Sequence, residues 1–530
     1  MRSTAVLRTA LGLATLLTTP ALAQRSKPAL IVFITVDQMR ADYVDRWSSQ
    51  YAGGLARFRK SGAFFTNAYQ DHGTTETAPG HSVTMSGRFP RSTGIVSNAS
   101  GVSDPLAPLL TSRDAAASPF RFRGSVLMDW IRTRNPQSRG LSISRKDRGA
   151  ILPMGRAKQN VFWYATSNGE FTTSTYYADT LPAWIKAVNA RRFAQRHAGQ
   201  SWNLLLPSTA YAEADSIPQE HAGTDFVFPH VLPADTARAA TELPYTPFMD
   251  ELVLSAALEG VRALTLGKGP STDVLAISLS ASDYVGHRYG PDSREQHDNY
   301  LHLDRALGAF IDSLYKVRDS STIVFALTAD HGVTSFPELA AARAHKAPLV
   351  RYDTRPAVAT VRAALRSARV DSAAVTIESS MISVDRAAFD HAGVKAEPIL
   401  RAFLDALRKT PGIARVDRVR ELAMRDTVHD AVARRWYHMI PPDLPIEYVF
   451  TPVEGSYPVN VTAAEHGLPY DDDAHVPVLF YGPWFKAGRY ATPALVADMA
   501  PTLARVAGVP PTERTDGHVL EQALVRTTPR

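Results

Sequence analysis

Ala29-Leu-Ile-Val-Phe-Ile-Thr-Val36, closed by Asp37, is an unbroken apolar, β-branched run of strand length. A strand with one wet face alternates polar and apolar residues, whereas a run without alternation belongs inside a parallel sheet covered on both faces. The carboxylate at its end then stands where open α/β sheets place their ligands, just past the carboxyl ends of the strands. Read alone, Asp37 serves equally well as the cap of a following helix. The pattern recurs twice: Asp273-Val-Leu-Ala-Ile-Ser-Leu-Ser280 leads into Asp283-Tyr-Val-Gly-His287, and Thr322-Ile-Val-Phe-Ala-Leu-Thr-Ala329 into Asp330-His331-Gly332. Asp283 and His287 share one face if the connection is helical, and Gly332 lets the chain turn. Aspartates are seldom buried unless they are paired or hold a metal, so three of them at strand ends are no accident of core packing. The expected fold class is α/β.

A nucleophile candidate follows the first strand. Tyr69-Gln-Asp-His-Gly-Thr-Thr-Glu-Thr-Ala-Pro-Gly-His81 puts Thr77 at a Pro/Gly-marked turn ahead of a helix, with Pro79 at an early position where its missing amide costs nothing. The unpaired amides and dipole of a helix N-terminus favour an anion such as phosphate. By itself Thr-x-Pro-x-His reads as a helix cap, and a threonine hydroxyl is a poor nucleophile until a base or metal activates it. Gly94-Ile-Val-Ser-Asn98 continues the segment. Leu141-Ser-Ile-Ser-Arg-Lys-Asp-Arg148 crowds three basic residues at a strand end, and alternate residues on a strand share a face, which directs Lys146 and Arg148 to one site.

The chain of 530 residues has no cysteine, which removes disulfides, thiolate metal sites and a cysteine nucleophile, so any metal must rest on His and Asp/Glu. Arg2 and Arg8, the apolar run Ala10 to Leu17 and the small-x-small site Ala21-Leu-Ala23 predict a signal peptide over 1–23 and a mature chain from Gln24, periplasmic or secreted. That run is too short to span a bilayer and no later stretch is long and apolar enough, so no membrane anchor is expected after cleavage. The formal net charge of +6 is spread without basic clusters interleaved with aromatics, which argues against a nucleic-acid partner and allows a mild attraction for small anions.

Two stretches break the strand–helix alternation. Residues 184–246 are irregular, and 335–457 carry helix-like segments at Ala357–Arg369 and Pro398–Leu407 with a strand-like stretch at Ala374–Val384. Both are read as lobes inserted into one catalytic domain over 24–530. Asp292 to Val317 reads as an amphipathic helix with Tyr300, Leu303, Leu307, Phe310, Ile311 and Leu314 on one face, and with His297 and His302 solvated. Late in the chain, Ala464-Glu-His466-Gly and Asp473-Ala-His475-Val-Pro each offer one histidine, and the residues alone do not choose between them.

Asp37, Asp283, His287, Asp330, His331 and one late histidine form a nitrogen and oxygen donor set suited to two borderline divalent ions, zinc above all. Two such ions can clamp the attacking and leaving oxygens of a phosphoryl transfer and activate a hydroxyl.

Taken in order, Thr-Val-Asp37-Gln-Met-Arg, Thr77-Ala-Pro-Gly-His, Gly-Ile-Val-Ser-Asn98, Lys146-Asp-Arg148, Asp283-Tyr-Val-Gly-His287, Ala-Asp330-His331-Gly and Asp473-Ala-His475-Val-Pro resemble the alkaline phosphatase superfamily over essentially the whole mature chain. They are most similar to the bacterial phosphate-irrepressible alkaline phosphatases with a threonine nucleophile, relatives of the type I phosphodiesterase/nucleotide pyrophosphatases. The resemblance implies a three-layer α/β/α fold with a central, mostly parallel sheet and inserted lobes. It implies two Zn2+ per chain, one on Asp283, His287 and His475 and the other on Asp37, Asp330 and His331, with Thr77 counted among the metal residues as it attacks phosphorus and becomes a phosphothreonine. It selects His475 as the late ligand and leaves His466 in the site wall. Asn98, Lys146 and Arg148 would contact the non-bridging phosphate oxygens. Diesterases of the superfamily generally have an apolar or nucleotide-binding surface where this Lys/Arg pair stands. The expected function is therefore an exported, zinc-dependent phosphomonoesterase acting on small-molecule phosphate monoesters with broad specificity, scavenging phosphate. The alternatives are a phosphodiesterase/nucleotide pyrophosphatase and, from another class, a non-catalytic periplasmic binding protein. A sulfatase is disfavoured, since its formylglycine has no cysteine to arise from.

Overall fold

Every residue of Leu30–Val36 is buried in the computed structural model, which describes residues 27–346 and 349–525. The expected signal peptide over 1–23 lies outside the described residues. A strand with no wet face needs neighbours on both edges and cover on both faces. Among the described residues the central sheet has nine strands, Leu30–Val36 (β1), Ala63–Phe65 (β2), Gly140–Ser144 (β3), Asn160–Ala165 (β4), Glu170–Thr172 (β5), Asp273–Leu279 (β6), Ile323–Thr328 (β7), Val478–Tyr481 (β8) and Gly488–Tyr490 (β9), in the order β9-β2-β8-β7-β1-β6-β3-β4-β5. The five strands from β7 to β4 run parallel, while β8 and β5 are antiparallel to their inner neighbours. This is the α/β architecture expected, with a mostly parallel sheet at its centre.

The register decides where the polar residues emerge. Thr35 pairs with both Thr328 and Ser278, and Ser278 pairs with Ser144. Two residues further on, Asp37, Asp330, Ser280 and Lys146 therefore leave the sheet level with one another, along the carboxyl edge of four adjacent strands.

The amphipathic helix spans Arg294–Tyr315, with Ser293 Oγ accepting from Gln296 N at 3.0 Å as its cap. Tyr300, Leu303, Leu307, Phe310, Ile311 and Leu314 are buried as the periodicity requires. His297 is not solvated. Its ring is buried with Nδ1 at 2.7 Å from Glu213 Oε2 and Nε2 at 2.6 Å from Gln50 Oε1, stacked on Trp47. Glu213 comes from the irregular stretch between 184 and 246, which folds over this helix, a long-range cover that helical periodicity does not report.

Residues 355–452 build a separate antiparallel sheet from Val375–Glu378, Met381–Val384, Ile446–Pro452 and Ile413–Arg418, in that order, with the helices Arg355–Ser367 and Ala396–Arg408 packed on its own apolar core. The stretch expected as one strand, Ala374–Val384, is a hairpin turning at Ser379-Ser380. This lobe is tied to the segment before Thr77 by the helix Ala431–Met439, whose Arg434, Arg435 and His438 converge on the buried Asp71.

Candidate active site

Asp37 leaves β1 with its amide bonded to Leu279 O at 2.9 Å, and the chain turns at once through Gln38, whose φ is 63°. A glutamine in left-handed backbone is a strained choice that needs a compensating contact. Gln38 N donates to Asp330 Oδ1 at 3.1 Å, and its side-chain Nε2 donates to Asp283 Oδ1 at 3.1 Å. Gln38 thus cross-braces two of the three strand-end carboxylates. Gly286 makes room for it, since a β-carbon there would lie 1.9 Å from Gln38 Oε1. The sequence reading quoted Gln38 in a motif and gave it no role; a glutamine directly after a buried strand's aspartate was the available signal.

Asp283 and His287 lie one turn apart on the helix Ala281–Tyr289, with Asp283 Oδ1 at 3.3 Å from His287 Nε2. The third member of this group is His466. Its Nε2 is 3.2 Å from His287 Nε2 and 3.7 Å from Asp283 Oδ1, and its ring stacks on His331 with centroids 3.6 Å apart. Each of the three histidines directs Nδ1 at a main-chain carbonyl: His287 at Ala464 O, His331 at Gly332 O (2.9 Å) and His466 at Thr75 O (2.8 Å). A carbonyl can only accept, so each Nδ1 carries a proton and each Nε2 is the ring atom that faces the site.

His475 is elsewhere. Its Nε2 lies 2.9 Å from Thr66 O and its ring stacks on Tyr69. The expectation that His475 joins Asp283 and His287 is corrected by the structure, which brings His466 to them instead. Both histidines reach the carboxyl edge, but β8 lies between β2 and β7, and His475 turns toward the β2 side, away from Asp283. The signal that could have found His466 is its His-Gly dipeptide, the same as His331-Gly332.

Thr77 opens the helix Thr77–Thr84 and is buried, with Oγ1 at 3.4 Å from His331 Nε2 and 3.2 Å from Lys146 Nζ. The helix rests directly on the Asp330 backbone, because a β-carbon at Gly80 would sit 2.0 Å from Asp330 O. One turn along, His81 Nδ1 is 2.9 Å from Thr77 O and 3.0 Å from Asp330 Oδ2, a second brace that the sequence reading missed. Asn98 Oδ1 accepts from Ala78 N at 2.8 Å, which leaves the amide Nδ2 as its donor.

Strand β3 ends at Ser144, so Lys146 and Arg148 do not share a strand face; Lys146 precedes the helix Asp147–Ile151 and Arg148 lies in its first turn. Lys146 Nζ is 2.7 Å from Asp37 Oδ2 and 2.6 Å from Asp283 Oδ2, and Arg148 Nε is buried without a hydrogen-bond partner.

Packing three carboxylates into a dry edge sets the electrostatics. Burial, with the charges of Asp283 and Asp330, raises Asp37 well above the usual carboxylate range. Asp283 goes the other way: burial opposes it, but Lys146 and His287 hold it well below that range. Burial also works against the Lys146 ammonium, and Asp283 and Asp37 outweigh it, keeping it charged. His331 is pushed down to about 3 by burial. His466 is lifted to about 9, since Asp283 overcomes the burial cost.

The donor set fits divalent cations. Asp283, His287 and His466 bring ligand atoms within 4.8 Å of one another, and so do Asp37, Asp283 and His331. Nε2 of His287 and Nε2 of His466 face each other at 3.2 Å, with Asp283 Oδ1 at 3.3 Å from the first and 3.7 Å from the second. No donor reaches the buried Asp37 Oδ1, which has His331 Nε2 at 3.5 Å. Fixed neutral imidazoles and unsatisfied carboxylate oxygens are the ligands borderline metals take.

Comparison with known proteins agrees with this geometry. The model of the type I phosphodiesterase / nucleotide pyrophosphatase family matches residues 31–376. Alkaline phosphatase PhoK of Sphingomonas sp is 30% identical over 93% of this chain and 91% of its own, and alkaline phosphatase PhoV of Synechococcus elongatus 29% identical over 94% and 93%. The crystal structure of alkaline phosphatase PafA aligns with a TM-score of 0.87 and 26% identity, covering 94% of this chain and 99% of that one. The chain belongs to the type I phosphodiesterase / nucleotide pyrophosphatase family, within the alkaline phosphatase superfamily.

Proposed function

We propose that the chain is an exported, zinc-dependent alkaline phosphatase that hydrolyses small phosphate monoesters through a phosphothreonine on Thr77. Asp283, His287 and His466 would hold one cation and Asp37, Asp330 and His331 the other. Zinc in these positions would lower the pKa of the Thr77 hydroxyl and offset charge on the phosphoryl oxygens.

The rest is the work of side chains. Thr77 Oγ1 gives up its proton to solvent and forms the bond to phosphorus as the bond to the ester oxygen breaks, and the alcohol leaves with a proton from solvent. Water then cleaves the Thr77 O–P bond, releasing inorganic phosphate and restoring the hydroxyl. The positive end of the Thr77 helix dipole favours the anion. Asn98 Nδ2, Lys146 and Arg148 would bind the non-bridging oxygens and hold them while charge moves from one bond to the other.

The observation that carries the monoesterase reading is the placement of cationic side chains at the nucleophile. Lys146 Nζ is 3.2 Å from Thr77 Oγ1, and Arg148, two residues on, has a buried Nε without a hydrogen-bond partner while its Nη1 lies 3.3 Å from Asp147 Oδ1. A monoester brings a terminal phosphoryl dianion, which matches two fixed cations better than a singly charged diester does. The relatives named alkaline phosphatase support the same class. One solved PafA variant is altered at a threonine, an asparagine, a lysine and an arginine, the residue types found here at Thr77, Asn98, Lys146 and Arg148.

The family model's own name favours a second reading, a phosphodiesterase or nucleotide pyrophosphatase. Rates on an aryl phosphate and on its bis-aryl diester separate the two. We expect the monoester to be preferred, and Lys146→Ala with Arg148→Ala to lower its kcat/KM by about 10²-fold or more while the diester loses far less. Equal losses on both substrates would remove the monoesterase assignment.

A further inference from the structure

The loop that carries Asn98 is gripped from outside the central sheet, by the tip of the hairpin in the lobe of residues 355–452. Glu378 pairs with Met381, so Ser379 and Ser380 alone make the turn, with φ of 46° and 67°. A two-residue turn of this hand favours Asn-Gly or Gly-Gly, because a β-carbon is penalised in left-handed backbone. Two serines go against that preference, and a locally unfavourable choice of this kind points to work done by the side chain.

The contacts show what that work is. Ser379 Oγ donates to Glu76 Oε1 at 2.5 Å, and the other carboxylate oxygen, Oε2, accepts from Asn98 N at 2.7 Å. Beside it, Ser97 Oγ donates to Glu378 Oε1 of the same hairpin. Asn98 in turn bonds Ala78 N, and Glu76 is the residue immediately before Thr77. A carboxylate next to a site for phosphate would repel the substrate if it were free to swing inward. Here both its oxygens are engaged, one by the hairpin and one by the Asn98 main chain.

We propose that Glu76 and the hairpin tip Glu378-Ser379 are positioning residues, which fix the Asn98 amide relative to Thr77 and hold the Glu76 charge away from the phosphoryl group. The proposal rests on Asn98 being a phosphate contact, as read above. It assigns the inserted lobe a part in the reaction that it exerts through Glu76 and Asn98.

The test is Ser379→Gly, alone and combined with Asn98→Ala, read by thermal midpoint and by kcat/KM on an aryl phosphate. Glycine relieves the turn, so the midpoint should hold or rise, while loss of the hydroxyl should lower kcat/KM about tenfold, as expected for a hydrogen bond to a charged group. A purely structural role would move both in the same direction. In the Asn98→Ala background the further loss should vanish, because the two act through one contact. Ser379→Gly activity within twofold of the parent, or the same loss in both backgrounds, would overturn the positioning role. If Asn98→Ala by itself changes nothing, the phosphate contact falls and the positioning role falls with it, whatever Ser379→Gly does.

Discussion

His466 and His475 are nine residues apart, and replacing each with alanine should give opposite phenotypes. His466 Nε2 lies 3.2 Å from His287 Nε2 and 3.7 Å from Asp283 Oδ1, so His466→Ala leaves its cation two protein donors instead of three. Loss of a residue that merely orients a ligand costs 10- to 100-fold in metal affinity, and loss of a donor should exceed that, at about 10²-fold or more. His475→Ala removes a contact with Thr66 O at 2.9 Å and a stack on Tyr69 at 4.9 Å, on a half-buried ring. That is a stability cost of about 1–2 kcal/mol with no donor lost. The assay is equilibration in a zinc buffer of defined free concentration, followed by elemental analysis, a thermal scan and aryl phosphate turnover. His466→Ala should bind less zinc at equal free zinc and lose turnover; His475→Ala should keep its zinc and turnover and melt slightly earlier. Full zinc and activity in His466→Ala, or zinc loss in His475→Ala, would refute the reassignment of the ligand.

Gly80→Ala would place a β-carbon 2.0 Å from Asp330 O and 2.7 Å from its carbonyl carbon, so the Thr77 helix or the end of β7 must retreat by more than about 1 Å to reach ordinary contact. A misplacement of that size costs about 10²-fold in rate, against the roughly 1 kcal/mol by which alanine favours a helix; undiminished kcat/KM would show that this contact does not set the position of Thr77. Asp250 is a buried carboxyl whose Oδ1 accepts from Ser280 N and Ala281 N ahead of the Asp283 helix, and burial raises it to about 7. Between about pH 4 and 7 the unfolded chain has this group ionised while the folded chain keeps it protonated, so it contributes a stability that falls as pH rises through that window. Asp250→Asn should therefore stabilise on the order of 2–4 kcal/mol at pH 8 and have little effect at pH 4, measured by denaturant unfolding at the two values; a benefit equal at both would show that the carboxyl charge is not the cause.

The three buried strands were legible because an unbroken apolar run has one comfortable place in an α/β fold, and each carried its aspartate to the sheet edge. Asp283 and His287 were legible for a local reason, since a helical connection puts them on one face. The choice between His466 and His475 was not local. It depends on the segment around Ala464 folding back on His287, where Ala464 N bonds His287 O at 3.0 Å, and on β8 inserting between β2 and β7. For Lys146 and Arg148 the expected strand alternation does not hold: the strand stops at Ser144, Lys146 reaches Asp37 and Asp283 from a loop, and Arg148 follows in the first helical turn. Gln38 and Glu76 stayed silent because their roles are contacts across 292 and 303 residues of chain, to Asp330 and Ser379, which no window along the sequence contains.

The charges at the sheet edge constrain the chemistry further than any single distance does. Asp37, Asp283 and Asp330 are opposed by Lys146, with Arg148 behind it, while His287 and His331 present neutral Nε2 atoms. Two of these carboxylates engage Lys146 directly, at 2.7 Å from Asp37 and 2.6 Å from Asp283, so its charge is directed at them rather than at a phosphoryl dianion brought to Thr77. Positive charge supplied at the carboxylates would release Lys146 from Asp37 and Asp283 to face the phosphoryl oxygens. The ligands and the substrate contacts are therefore one electrostatic unit. Their effects should be strongly non-additive: Lys146→Ala combined with a ligand substitution should cost much less than the product of the two single losses, because either change alone already undoes the balance on which the dianion depends.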